Sequence, residues 1–132
     1  MTIADISYTE IDSLTRTYPL VILEFWAHWC ETSQRFAGEY ENIAEQNRDV
    51  IFVRAEIGDE QELAERFEID SVPTLIGFQN SIQIFKHFGA PSQVHFNNLL
   101  DQLRSTDVDE LFRRELGLEP QGLKGLFKKL RR

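Results

Sequence analysis

The chain has 132 residues, of which 42% are hydrophobic and ten are Phe, so it can bury a core but is too short for two large domains. No apolar run approaches the ~18 residues of a transmembrane helix, and the first ten residues lack a basic and apolar signal segment, so we expect a cytoplasmic protein. Residues 1–120 contain nine basic and 22 acidic side chains, a formal charge of −13, which argues against nucleic acid as a partner.

The first half of the chain predicts two helices and two strands. Residues 9–17 indicate a short helix, and the apolar, β-branched run at 19–27 is typical of a central strand covered on both faces. The spacing of Phe36, Tyr40 and Ile43 predicts a long helix over about 30–47. Residues 50–56 then predict a second strand.

The second half predicts a short helix at 60–67 and an antiparallel hairpin made of strands 74–79 and 82–88. Ser92 is the expected N-cap of the next helix. The residues predicted to face inward from that helix are Val94, Phe96, Leu99, Leu100 and Leu103. This order of elements predicts an α/β fold with a mixed central sheet flanked by helices.

Three short motifs carry a family resemblance. The segments are FWAHWCETS at 25–33, SVPT at 71–74 and FGA at 88–90. In this order and spacing they resemble the thioredoxin family over about residues 2–104. The resemblance implies a thioredoxin fold for a domain at 1–104, followed by a helical extension at 105–132.

The chain departs from that family at the active-site motif, because Cys30-Glu31-Thr32-Ser33 stands where the family has C-G-P-C. A dithiol reductase needs its second thiol to resolve the mixed disulfide, and Ser33 cannot do this. A helix N-terminus favours a Cys30 thiolate, whereas Glu31 disfavours it and repels anionic glutathione. Cys30 is therefore either a reactive single thiol or an inert relic of a dithiol ancestor.

The resemblance also implies roles for neighbouring residues. Glu24 matches the buried carboxylate that handles a proton for the resolving cysteine, and Arg54 falls where the family has a pairing Lys. Because the second thiol is absent, both a structural ion pair and a proton-transfer role stay open for these two residues.

A substrate surface is implied around the cysteine. Pro73 matches the family's cis-proline, beside which the backbone of Val72 would pair with an extended substrate, and Trp29 would roof the thiol. Trp26 is expected to face the core. The full set of expected substrate-binding residues is Trp29, Glu31, Thr32, Val72, Pro73 and Gly89.

The histidines give weaker signals. We interpret His28 as a solvated loop residue, and His87 and His95 do not share a ligand spacing with any carboxylate. We therefore expect neither a metal site nor a cofactor.

The extension carries the opposite charge to the body. A helix is predicted over 107–116, ended by Gly117, and a hinge at 120–122 leads into an arm with five basic and no acidic residues. Leu123, Leu126, Phe127 and Leu130 form one stripe of this arm. This arm could bind a protein partner, the acidic body or an anionic membrane, or it could be a disordered tail, and these alternatives remain open. The expected contact residues are Lys124, Phe127, Lys128, Lys129 and Arg131.

Two functions follow from these observations. The first is a monothiol protein that forms mixed disulfides through Cys30 with protein thiols or disulfides, or with glutathione, as an oxidoreductase or isomerase without a resolving cysteine. The second is a redox-inactive adaptor or chaperone, which would bind clients through the cis-proline groove and the arm.

Overall fold

A computed structural model of the chain describes residues 3–117, apart from the side chain of Phe112. Helices and strands alternate in this range. In chain order they are α1 (Ile11–Thr17), β1 (Leu20–Trp26), α2 (Glu31–Gln46), β2 (Ile51–Glu56), α3 (Gln61–Arg66), β3 (Thr74–Gln79), β4 (Ile82–Phe88), α4 (Gln93–Ser105) and α5 (Val108–Leu116).

The four strands form one mixed sheet in the order β2-β1-β3-β4. Strand β1 runs parallel to β2 and antiparallel to β3, and β3 pairs with β4 as an antiparallel hairpin. The five inner residues of β1 are all buried, which explains its nearly continuous apolar sequence. The predicted thioredoxin fold is confirmed, and β1 delivers the chain directly to Cys30.

Each face of the sheet carries its own apolar core. On one face, α2 and α4 contribute Phe36, Tyr40 and Phe96, whose rings pack with centroids 5.8 to 6.2 Å apart. The buried hydroxyl of Tyr40 lies 3.0 Å from the carbonyl oxygens of Ile22 and Val53, so it ties α2 to two strands. On the other face, helices α1 and α3 bury Ile11 and Leu63.

Two predictions about side-chain placement are wrong in detail. Val94 does not face inward: it is 72% exposed, because it lies two residues, or about 200°, from Phe96 on α4. Trp26 is half-buried at the end of β1 rather than in the core. Its indole N–H donates to Asp5 at 2.8 Å, and the guanidinium of Arg54 lies 4.2 Å from its ring centroid.

The described part of the extension is helix α5. Asp107 caps it by accepting from the N–H of Glu110 at 3.1 Å, and Gly117 ends it with a φ of +63°. Val108 is buried at its start. The basic arm at 122–132 lies outside the described residues. Within 3–117, no helix has the length and apolar character needed to cross a membrane.

Candidate functional site

Cys30 lies at the junction between β1 and α2, where it is the N-cap residue of the helix. Its N–H donates to Ala27 O at 3.1 Å, and its carbonyl accepts from Gln34 N at 3.1 Å. The half-buried thiol points to the loop before β3, with Sγ 3.8 Å from the carbonyl oxygen of Val72. The peptide bond between Val72 and Pro73 is cis.

The first turn of α2 lowers the pKa of the Cys30 thiol. The backbone N–H of Ser33 is the largest cause, followed by the Ser33 hydroxyl, and the N–H of Thr32 adds to them. Partial burial and the negative charge of Glu31 act in the opposite direction. The donors at the helix N-terminus outweigh both, so this position favours a thiolate.

Ser33 occupies a completely buried position one turn into α2. Its Oγ makes no hydrogen bond with any residue of the described chain. The hydroxyl is therefore available as a donor to a thiolate at Cys30, but it cannot form a disulfide with it.

Two exposed aromatic side chains lie beside the cysteine loop and the proline loop. Trp29 is 67% exposed next to Cys30, and Phe88 is 56% exposed at the end of β4. Gly89 follows with a φ of +87° and donates its N–H to Pro73 O at 2.8 Å. Glu31 and Thr32 are exposed on the first turn of α2. The structure thus brings together the residues expected to bind substrate.

The ion pair expected between Glu24 and Arg54 is present beneath this site. The two residues face each other across β1 and β2, with Arg54 Nε 2.9 Å from Glu24 Oε1. Glu24 is fully buried, and its Oε2 has no hydrogen-bond partner within residues 3–117. Burial raises the pKa of Glu24 to about 7, and Arg54 opposes this shift. The carboxyl can therefore hold or release a proton near neutral pH.

Sequence reasoning missed a second carboxylate beside the cysteine loop. Glu56, at the end of β2, is only 5% exposed, and His28 Nδ1 lies 2.6 Å from its Oε2. The same oxygen accepts from the N–H of His28 at 3.1 Å, while Oε1 accepts from the N–H groups of Gly58 and Asp59. The signal available in the sequence was a Glu at a strand end followed by Gly58-Asp59, which is a turn pattern with free N–H groups.

Two of the histidines form a pair of their own on β4 and α4. The rings of His87 and His95 pack against each other with centroids 4.7 Å apart. In the described range, no group of three or more His, Cys, Asp or Glu side chains is arranged to hold a metal ion. The arm residues lie outside that range, so their contacts stay a prediction. They are Lys124, Phe127, Lys128, Lys129 and Arg131.

Comparisons with known proteins agree with this geometry. The thioredoxin family model matches residues 5–102. A Streptomyces coelicolor protein whose name places it among the thioredoxins is 30% identical over 107 residues, which are 81% of this chain and 80% of the relative. The chain therefore belongs to the thioredoxin family, whose members carry out thiol–disulfide redox chemistry.

Two solved structures show the same fold. A thioredoxin of Plasmodium falciparum is 26% identical, with a TM-score of 0.70 over 77% of this chain and 98% of that one. A thioredoxin variant from Halobacterium salinarum is 24% identical, with a TM-score of 0.73 over 80% of this chain and 93% of that one. Both leave part of the present chain uncovered.

Proposed function

We propose that this protein is a monothiol member of its family that exchanges disulfides through Cys30. The observation that carries this proposal is the environment of the thiol, because the N–H groups and the hydroxyl of the α2 first turn lower its pKa despite Glu31. A lowered thiol pKa next to an exposed aromatic surface supports reaction with a partner rather than inert burial.

The proposed exchange has two steps. The Cys30 thiolate attacks one sulfur of a partner disulfide, the S–S bond breaks, and the other sulfur leaves as a thiolate that takes a proton from solvent. An external thiolate from glutathione or a protein then attacks the mixed disulfide and releases Cys30. Because Ser33 carries no thiol, the second step always depends on that external thiol.

Neighbouring side chains support the first step. The carbonyl of Val72, 3.8 Å from Sγ, lies where an extended partner strand would pair beside Pro73. Trp29 and Phe88 supply exposed apolar area for such a strand. In this proposal Glu24 and Arg54 serve a structural ion pair, since the thiol that would need their proton is replaced by Ser33.

A second candidate function uses the same surface without redox chemistry. Trp29 and Phe88 are more exposed than large aromatic residues usually are, and this favours a binding surface for a protein client. In that case the protein is an adaptor or chaperone, and the basic arm at 122–132 contributes to client binding. The two functions differ in whether Cys30 reacts in the folded protein.

Turnover with a disulfide substrate separates these possibilities. The wild-type protein should form a mixed disulfide with oxidised glutathione, detected by intact mass, and should reduce insulin slowly under excess external thiol. Ser33→Cys should raise insulin turnover by at least ~10-fold, because the resolving step becomes intramolecular. Cys30→Ser is the matched control and should do neither. Absence of the mixed disulfide in wild type would favour the adaptor function.

A further inference from the structure

One nearly buried carboxylate joins the two loops at the Cys30 end of the sheet. Glu56 Oε2 is bound to the N–H and ring of His28, and Oε1 to the N–H groups of Gly58 and Asp59. The first loop carries Cys30, and the second connects β2 to α3. The side chain of Glu56 is 6% exposed, whereas the ring of His28 is 76% exposed. Glu56 is therefore a buried anchor, meaning that its hydrogen bonds fix the exposed His28 in place.

The surrounding backbone is shaped for this contact. A Cβ at Gly58 would lie 2.8 Å from Glu56 Oε1, so glycine lets the carboxylate approach the turn closely. The N–H of Ile57 donates to Trp26 O at 2.9 Å, which ties the strand ends together just before both loops. The carbonyl of His28 also accepts a hydrogen bond from the side chain of Gln34. His28 is thus fixed through its N–H, its ring and its carbonyl.

We propose that Glu56 is a positioning residue for Cys30, and that it acts by holding His28 and hence the loop at 27–30. Only Trp29 lies between His28 and Cys30, so a displaced His28 moves the sulfur relative to its donors in the first turn of α2 and to Val72 O. The proposal deepens the proposed function, since it rests on Cys30 being the reactive group of this site. It assigns no proton transfer to Glu56 or His28.

Other acidic groups lie near Glu56. Asp5, Glu10, Asp59 and Glu60 line the same surface cavity of about 210 Å³ as Glu56. Glu31 lies next to Cys30, and its charge acts to raise the pKa of the thiol. A test must therefore separate the hydrogen bonds of Glu56 from its negative charge.

Glu56→Gln and Asp59→Asn form a matched pair for this purpose. Each removes one negative charge from the cavity, but Asp59→Asn keeps the backbone N–H that binds Glu56. The glutamine offers a single acceptor oxygen, so it cannot serve both His28 and the turn at 58–59. Loss of charge lowers a thiol pKa, whereas loss of the helix N-terminal donors raises it. The two explanations predict opposite signs.

The rate of Cys30 alkylation by iodoacetamide, measured from pH 5 to 10, gives both the thiol pKa and the limiting rate. Glu56→Gln should raise the pKa and slow alkylation at pH 7 by about fivefold, as expected for a displaced nucleophile. Asp59→Asn should leave the rate equal to or above wild type. If Glu56→Gln also speeds alkylation, or changes nothing, the positioning role is refuted while the proposed function stands.

His28→Ala provides a second variant in case the substitution of the buried Glu56 prevents folding. It deletes an exposed ring and keeps the backbone bond to Glu56 Oε2. It should slow alkylation in the same direction as Glu56→Gln, and the double variant should be no slower than Glu56→Gln, because both changes break one contact. Fully additive effects would contradict the proposal.

Amide chemical shifts keep the test independent of reactivity. If Cys30 of the folded wild type does not react, the proposed function fails, and the ¹⁵N–¹H shift of the Cys30 amide decides the positioning role. Glu56→Gln should shift this amide and Asp59→Asn should not. Equal shifts in both variants, or no shift in either, would overturn the proposal.

Discussion

Glu24 and Glu56 occupy neighbouring strands beneath and beside the same cysteine loop, yet their pKa values move in opposite directions. Glu24 is fully buried and Glu56 is 5% exposed, so burial raises the pKa of each. Among the described residues, Glu24 receives one hydrogen bond, from Arg54, and its Oε2 has no partner. Its pKa rises to about 7.

Glu56 receives hydrogen bonds on both oxygens. Burial is the largest single influence on it, but the N–H groups of His28, Asp59 and Gly58 and the ring of His28 together lower its pKa. Greater depth and fewer donors together raise the pKa of Glu24, whereas four donors keep Glu56 charged. One carboxylate is thereby left able to titrate near neutral pH, and the other is fixed as a charged anchor.

The largest expected effect concerns Glu24 and the pH dependence of stability. Its raised pKa means that the folded state binds a proton more tightly than the unfolded state, so stability present below pH 4.5 is lost as pH rises to about 7. Relative to Glu24→Gln, wild type should lose ~3 kcal/mol of unfolding free energy between pH 4.5 and 8. Urea unfolding of both proteins across this range measures the difference.

Groups shared by the two proteins cancel in that difference, so it isolates Glu24. A constant difference across the range would mean that Arg54 keeps Glu24 charged throughout. The contrast with Glu56 would then disappear.

Glu56→Gln should change the unfolding free energy by a smaller amount, and with the opposite pH dependence. At pH 7 it should cost ~2 kcal/mol, because a neutral amide leaves one set of buried donors without an acceptor. Because the pKa of Glu56 is lower in the folded than in the unfolded state, the charged carboxylate stabilises the fold above pH 4.5. This stabilisation is lost as pH falls through the folded-state pKa, so the cost of Glu56→Gln should shrink below pH 4.5. Asp59→Asn, at an exposed position, should stay within ~0.5 kcal/mol of wild type at pH 7. A cost that grows in acid would contradict the anchor role.

Ser33→Ala extends the comparison to a buried hydroxyl without a partner. Because the buried Oγ makes no hydrogen bond with a described residue, its removal should not lower the unfolding free energy and should raise it by up to ~1 kcal/mol. It should still raise the Cys30 pKa modestly, since the hydroxyl is the second largest cause that lowers it. Thr32→Ala, which keeps its N–H, is the control for both measurements. A large loss of stability would show that Ser33 has a packing role.

The smallest expected effect on stability comes from the arm. Deletion of 122–132 should shift the melting temperature by less than ~1 °C, because the last residues of the two cores in the described range are Leu103 and Phe78. We expect it to weaken binding to an acidic protein or an anionic membrane in a salt-dependent manner. Flotation with neutral and with anionic vesicles separates these targets. A drop of several degrees would mean that the arm docks on the body.

The fold could be predicted from the sequence because its signals are local. The apolar run of β1, the helical spacing of Phe36 and Tyr40, and the turn at Asn80-Ser81 each specify one element. Val94 was misplaced because an apolar residue in the first turn of a helix need not share the buried face. Trp26 was misplaced because its contacts with Asp5 and Arg54 come from distant parts of the chain.

The site was predictable only in part, because some of its contacts also join distant parts of the chain. Cys30, Val72 and Pro73 stand out through short motifs, and register pairs Glu24 with Arg54. The contact between His28 and Glu56 joins residues 28 positions apart. It depends on a rotamer and on the close approach that Gly58 allows, and neither leaves a pattern in the spacing.

A reactive Cys30 is tested most directly by its alkylation rate in the folded wild-type protein as a function of pH. We expect reaction without denaturant and a thiol pKa below the ~8.5 of a free cysteine. Glu31→Gly should lower this pKa further, because the opposing charge is removed. A thiol that reacts only after unfolding, or that titrates above ~8.5, would contradict a reactive Cys30 and favour the adaptor function.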